Sequence, residues 1–259
     1  MTFFPIRLGA LLALGCAAPR SLPSAPPADP PARTEWHAEP VFEKAWSANI
    51  VVYNHADASF ALDFALDALQ KQYDWLARYT SSAPGRVIVH VGNHYPCGFS
   101  IEGTECSPPE MFLQAGSFFD SQANYAHEMT HCFAFHWGAL PHWFGESIAD
   151  AAYADAEIEL WKRRKDPAFL TSFDRIDHRS YELLQLRIRY GASYFPRVFR
   201  LLESRADERA HALARDASLE TKNRFLLSVL SEAAGEDLTP LFTREFGFDP
   251  RTRERQRGY

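Results

Sequence analysis

The sequence predicts an α+β fold, a mixed sheet with a helix packed on it followed by a mainly helical second half. Two observations carry this expectation. Runs rich in β-branched residues occur only before residue 121, and beyond it apolar residues recur at helical spacing. The run A-N-I-V-V-Y at 48–53 reads as a strand, and 58–79 as a helix, with apolar Phe60, Leu62, Phe64, Ala65, Leu66, Leu69, Tyr73 and Leu76 at helical spacing. R-V-I-V-H-V at 86–91 is a second strand and 111–119 a third. Helices are expected over 121–136, 141–165, 179–190, 193–204, 218–234 and 237–246. No internal repeat is visible.

The 259 residues are 46% hydrophobic and 23% charged, enough apolar material for a sizeable core. Net charge is −6, and no basic stripe is present to neutralise phosphates, which argues against nucleic acid as a partner. The basic clusters at Lys162–Lys165 and Arg251–Arg257 are short and read as a solvated helix face and a tail. No apolar run approaches the roughly 20 residues that span a bilayer.

The N-terminus reads as an export signal over 1–18: one positive charge before an apolar stretch, then Cys16. Leu12-Ala-Leu-Gly-Cys16 resembles a bacterial lipobox, with Ala13 where leucine is usual. A lipid on Cys16 would make the protein a cell-envelope lipoprotein touching the membrane only through that anchor. Ordinary cleavage near Ala17-Ala18 would release it to the periplasm or medium. Pro19, Pro23, Pro26, Pro27, Pro30 and Pro31 mark 19–33 as an extended linker. The body is expected over 34–250, with an α/β lobe at 34–137 and a helical lobe at 138–250; 251–259 is a tail.

Cys97 and Cys106 flank a short polar loop and are near enough in sequence to be bridged. Such a closure contributes roughly 2–3 kcal/mol. Metal binding by the reduced pair is the alternative. Cys132, within a helix beside His131, reads as a small buried hydrophobe.

The chemistry concentrates in 120–150. His127-Glu128-Met-Thr-His131 is an H-E-x-x-H motif. On a helix the two histidines lie on one face, one turn apart, so both can point at one ion. Glu128 would lie beside that ion, placed to take a proton from an attacking water. Asp120 or Ser121 can cap the helix, Gly138 can end it and Pro141 prevents its continuation. A catalytic zinc takes three protein ligands. Glu146, on a second helix packing back on the first, is the candidate for the third. Asp150, one turn on, can accept the free ring N–H of His127. Each residue also has a plainer reading: core histidines, a first-turn carboxylate favoured by the helix dipole, a surface aspartate. His136 and His142 read as incidental, and Trp143 and Phe144 as core. The H-E-x-x-H-x-x-G-x-x-H arrangement fails, because Ala134 and Trp137 stand where Gly and His are required.

His127-Glu-x-x-His131 followed by Pro141-x-Trp143-Phe144-x-Glu146-Ser147-x-Ala149-Asp150 resembles the gluzincin metallopeptidases, particularly the peptidase-MA-like group. The stretch from Ser231 to Phe248 is similar to that group's C-terminal helix pair, and to the ending of enhancin-like mucin-degrading peptidases. The G-x-M-E-N signature of gluzincin aminopeptidases is absent. The resemblance implies a zincin-like fold and Zn2+ held by His127, His131 and Glu146. It also implies Glu128 as general base and a protein or peptide substrate. An oxyanion donor is then needed, with Tyr190 the first candidate and His178 and Tyr181 behind it. The 111–119 strand is expected to offer its edge to an extended substrate. The alternative is a zinc-containing surface lipoprotein that binds a partner without cleaving it, or a scaffold in which the motif is accidental.

Overall fold

Glu43–Trp46 (β1), Ile50–Asn54 (β2), Val87–Gly92 (β3), Gly98–Ile101 (β4) and Glu110–Gln114 (β5) form one mixed sheet, in the order β1-β2-β3-β5-β4. This computed structural model describes residues 39–93, 98–101, 109–116, 123–170 and 181–252. The expected roles of Cys16, Cys97, Cys106 and His178, the signal, the linker and most of the tail lie outside those residues. β2, β3 and β5 run parallel, in register Val52↔Val89 and Val89↔Met111, and β1 and β4 close the two sides antiparallel.

The strand expected at 111–119 is corrected in two ways. It ends at Gln114, and it lies inside the sheet between β3 and β4, so its edge is not free. The sequence hides β4 because it is four residues long and opens on a glycine. The free edges among the described strands are β1 and β4.

Helix Leu62–Thr80 (α1) connects β2 to β3 and packs on the sheet. Its buried Leu62, Ala65, Leu69, Tyr73 and Leu76 recur at three- and four-residue steps, which gathers them on one side of a 3.6-residue helix. Ser81, at φ 57, ends it. Alternation within the strands splits the sheet: Ile50, Val52, Val87 and Val89 join the main core, while Val51, Tyr53 and Ile88 form a smaller cluster on the opposite face.

The remaining described elements are helical. They are Ala123–Ala134 (α2), a 3-10 turn at Phe135–Trp137, and His142–Asp155 (α3), which runs on into a π-turn at Ala156–Leu160. Then come a 3-10 turn at Pro167–Leu170, Tyr181–Tyr190 (α4), Tyr194–Ser204 (α5), Ala206–Ala212 (α6), Leu219–Ala234 (α7) and Thr239–Arg244 (α8). The single helix expected over 141–165 is therefore shorter, and turns out through Trp161 to Lys162 at φ 57. The Ser218 hydroxyl accepts from Thr221 N–H at 3.1 Å and Gly235 at φ 76 ends α7, matching the expected start and stop. No helix among the described residues is long and apolar enough to cross a membrane.

One contact set fixes α3 against its neighbours. The Asp155 carboxylate accepts from Arg187 of α4 at 2.6 and 2.8 Å and from the Tyr79 hydroxyl of α1 at 2.6 Å, all three being buried. At the other end, Trp143 Nε1–H donates to Asn223 of α7 at 2.8 Å.

Candidate metal centre

α2 is apolar on the side that faces the core. Tyr125, Ala126, Met129, Cys132 and Phe133 are at most 2% exposed, so burial fixes the helix and leaves His127 and His131 to turn together toward α3. Cys132 is a buried thiol outside any disulfide, in keeping with its sequence reading. The turn to α3 is set by Gly138. Its φ of 110 is closed to L side chains, and a Cβ there would lie 2.7 Å from the Leu213 carbonyl oxygen. That carbonyl accepts Ala139 N–H at 2.8 Å, anchoring the turn to the end of α6. Pro141, in extended geometry at φ −60 and ψ 141, then starts α3, whose first turn carries His142 and whose second carries Glu146.

His127 Nε2 and His131 Nε2 are 3.3 Å apart. Glu146 Oε2 lies 3.5 Å from the first and Glu146 Oε1 3.6 Å from the second. Among the described residues this is the group whose ligand atoms all fall within 4.8 Å of one another, and it could hold a metal ion. His127 Nδ1 lies 2.8 Å from Asp150 Oδ1, a hydrogen bond that fixes the ring and turns Nε2 toward the cluster. Glu128 is 7% exposed, in the α2 turn that carries the histidines.

The electrostatics fit a site built around positive charge. Burial alone would favour the neutral His127 imidazole. The hydrogen bonds to Asp150 and Glu146, with the charges of Asp150 and Glu128, reverse this and hold its pKa well above the usual histidine value. Burial likewise raises Glu146, yet the His127 hydrogen bond and the charges of His131, His127 and His142 draw it down to about 2.

The other candidates fall elsewhere. The Tyr190 hydroxyl donates to Glu236 and its ring stacks on Tyr194, partners that do not belong to the cluster. Tyr181 opens α4. Trp143 and Phe144 are core residues, 2% and 0% exposed. His136 points away from the histidine pair. It lies 2.7 Å from Glu203 Oε1, an oxygen that also accepts from Trp137 Nε1 at 2.7 Å, while Arg209 donates to the other oxygen at 3.1 Å. Burial raises Glu203, but these three donors hold it below the usual carboxylate value. His142 was passed over in the sequence: its Nε2 lies 3.8 Å from Glu146 Oε1. The signal was available, since positions i and i+4 of one helix are neighbours. Comparison with protein-family models and with curated proteins finds no match for this chain.

Proposed function

We propose that the protein is a zinc-dependent peptidase of the gluzincin type. The convergence of two imidazoles and one carboxylate carries this reading. Ligand atoms about 2.1 Å from a zinc ion, in tetrahedral directions, are about 3.4 Å apart. The separations here are 3.3, 3.5 and 3.6 Å, so the donor set fits that ion in type and in spacing. Two histidines with one glutamate leave one position for the reacting molecules.

When bound, zinc would act as a Lewis acid toward an attacking water and the scissile carbonyl. The chain's own residues do the rest. His127, His131 and Glu146 hold the ion, and Asp150 keeps His127 in the tautomer that presents Nε2. Glu128 accepts a proton from the attacking water as the new C–O bond forms, and returns it to the amine nitrogen as the C–N bond breaks. Its burial keeps that carboxylate in place. Because the edge at the β5 side of the sheet belongs to β4, an extended substrate would pair there rather than along β5. Exported or cell-envelope proteins are the expected substrates, reached from the N-terminal anchor or after release.

The experiment compares wild type with Glu128→Gln on a casein or mucin-type substrate, with and without chelator, alongside metal analysis. Both proteins should bind one zinc, and the variant should lose about 10²–10⁴-fold in kcat. Equal cleavage by the two removes the assignment. Zinc binding without cleavage by either makes the protein a zinc-containing binding protein instead.

A further inference from the structure

Beside the candidate metal centre lies a hollow of about 500 Å³, walled by Leu140, His142, Leu219, Arg215 and Lys222. Its size is that of a small-molecule or side-chain site. One residue joins it to the ion cluster. The exposed ring of His142 lines the hollow while its Nε2 stands 3.8 Å from Glu146 Oε1. His142 is thus the side chain shared between the hollow and the candidate ion group. A second hollow, of about 610 Å³, shares Leu140 and Arg215 with the first and continues past Trp137 and Leu213. The two hollows thus meet at a shared wall formed by Leu140 and Arg215.

The charge of the wall is unusual for this molecule. The chain carries a net charge of −6, yet the hollow is lined by Arg215 and Lys222 with no carboxylate among its lining residues. The neighbouring acids are placed elsewhere. Glu220 is taken by Arg224, whose Nη2 and Nε lie 2.6 and 2.8 Å from Glu220 Oε1, and Asp216 is exposed and not part of the lining. No ion pair of Arg215 or Lys222 occurs among the described residues, in contrast to Arg187, Arg205, Arg209 and Arg224. Two cations left without counter-charges in a concave wall raise the local potential and favour an anion there. Arg215 adds the planar fork that matches a carboxylate.

The geometry points to this hollow as a specificity subsite for a carboxylate on the substrate, with Arg215 and Lys222 as its specificity-determining residues. The inference rests on the peptidase reading for its meaning, since it names the class of substrate that the centre would accept. A carboxylate can come from a Glu or Asp side chain near the scissile bond or from the free C-terminus of a peptide. The former makes the protein an acid-selective endopeptidase, and the latter a carboxypeptidase.

Binding separates the inference from the reading beneath it. The zinc-loaded Glu128→Gln protein is titrated calorimetrically with alanine-based decapeptides. Each carries one Glu or one Gln at successive positions, with a free or an amidated C-terminus. We expect Glu at one position, or the free C-terminus, to bind about five- to tenfold more tightly than its neutral counterpart in low salt. The preference should shrink as ionic strength rises. Arg215→Gln combined with Lys222→Gln should bring the ratio to near one, with zinc content unchanged. No measurable binding, equal binding of charged and neutral peptides, or a ratio that the double substitution leaves intact overturns the proposal. Cleavage by wild type is scored separately on the same peptides. Cleavage without charge discrimination removes the subsite and keeps the peptidase. Discrimination in binding without cleavage keeps the subsite and removes the peptidase.

Discussion

Two clusters of charged side chains are built on the same helix, α3, and they are opposites. At its far end Asp155 is fully buried and meets Arg187 and Tyr79, so its oxygens are satisfied within the protein. Near its start Glu146 is 22% exposed and faces His127, 21% exposed, and His131. There the acceptor atoms of three side chains converge on one another. The first arrangement is complete as it stands. The second brings together three donor side chains that could hold a metal ion, and its carboxylates hold the His127 pKa above the usual histidine value. The first is a structural brace, and the second is the candidate metal centre.

Substitutions in the two clusters should therefore separate stability from metal affinity. The largest effect is expected at the brace. Arg187→Ala strands the buried Asp155 carboxylate and should cost about 3–5 kcal/mol in chemical denaturation. Zinc affinity of the remaining folded protein should change little. A comparable loss of zinc affinity in the folded fraction would merge the two clusters into one.

Next in size, Asp150→Asn should weaken zinc binding about 10–100-fold by releasing His127 from its fixed orientation. Without metal, its denaturation midpoint should move far less than that of Arg187→Ala. Competition against a chelator checks the affinity and denaturation of the chelated protein checks the midpoint.

The smallest effect is a pH slope. With its folded pKa raised, His127 contributes stability to the metal-free protein fully below about pH 6.5, and that contribution is lost as pH rises through the higher folded value. Glu146, depressed to about 2, contributes above about pH 4.3 and loses its contribution as pH falls through 2. Zinc must displace the His127 proton. Its apparent affinity should thus climb about tenfold per pH unit through the neutral range. A flat profile from pH 6 to 8, after correction for the chelator, would show that His127 is already neutral in the metal-free state.

The same contrast explains what the sequence could and could not disclose. α1, β2 and β3 were legible because their burial is written in local period, and α2 and α3 because Gly138 and Pro141 punctuate them. The H-E-x-x-H spacing put the two histidines on one helix face without any tertiary information. Other elements have no local signature. β1 is a short, partly exposed edge, and α6 is largely polar, A-D-E-R-A-H-A, so neither shows a period. The π-turn at Ala156–Leu160 is a shift in hydrogen-bond register that apolar spacing does not record. The Tyr79–Asp155–Arg187 contacts join residues far apart in the chain, and no spacing rule anticipates them. The basic wall was missed for the same reason: Arg215 and Lys222 meet His142 only once α7 has packed near the start of α3.

The turn at Gly138 sets how much of the polypeptide the centre requires. All four side chains that shape the cluster lie between His127 and Asp150, yet the bend that spaces their two helices is clasped by the backbone of Leu213. A fragment ending soon after Asp150 would possess each of those groups and lack the strut that sets their separation. The spacing of the two helices that carry the group thus depends on a backbone carbonyl more than sixty positions downstream of Asp150.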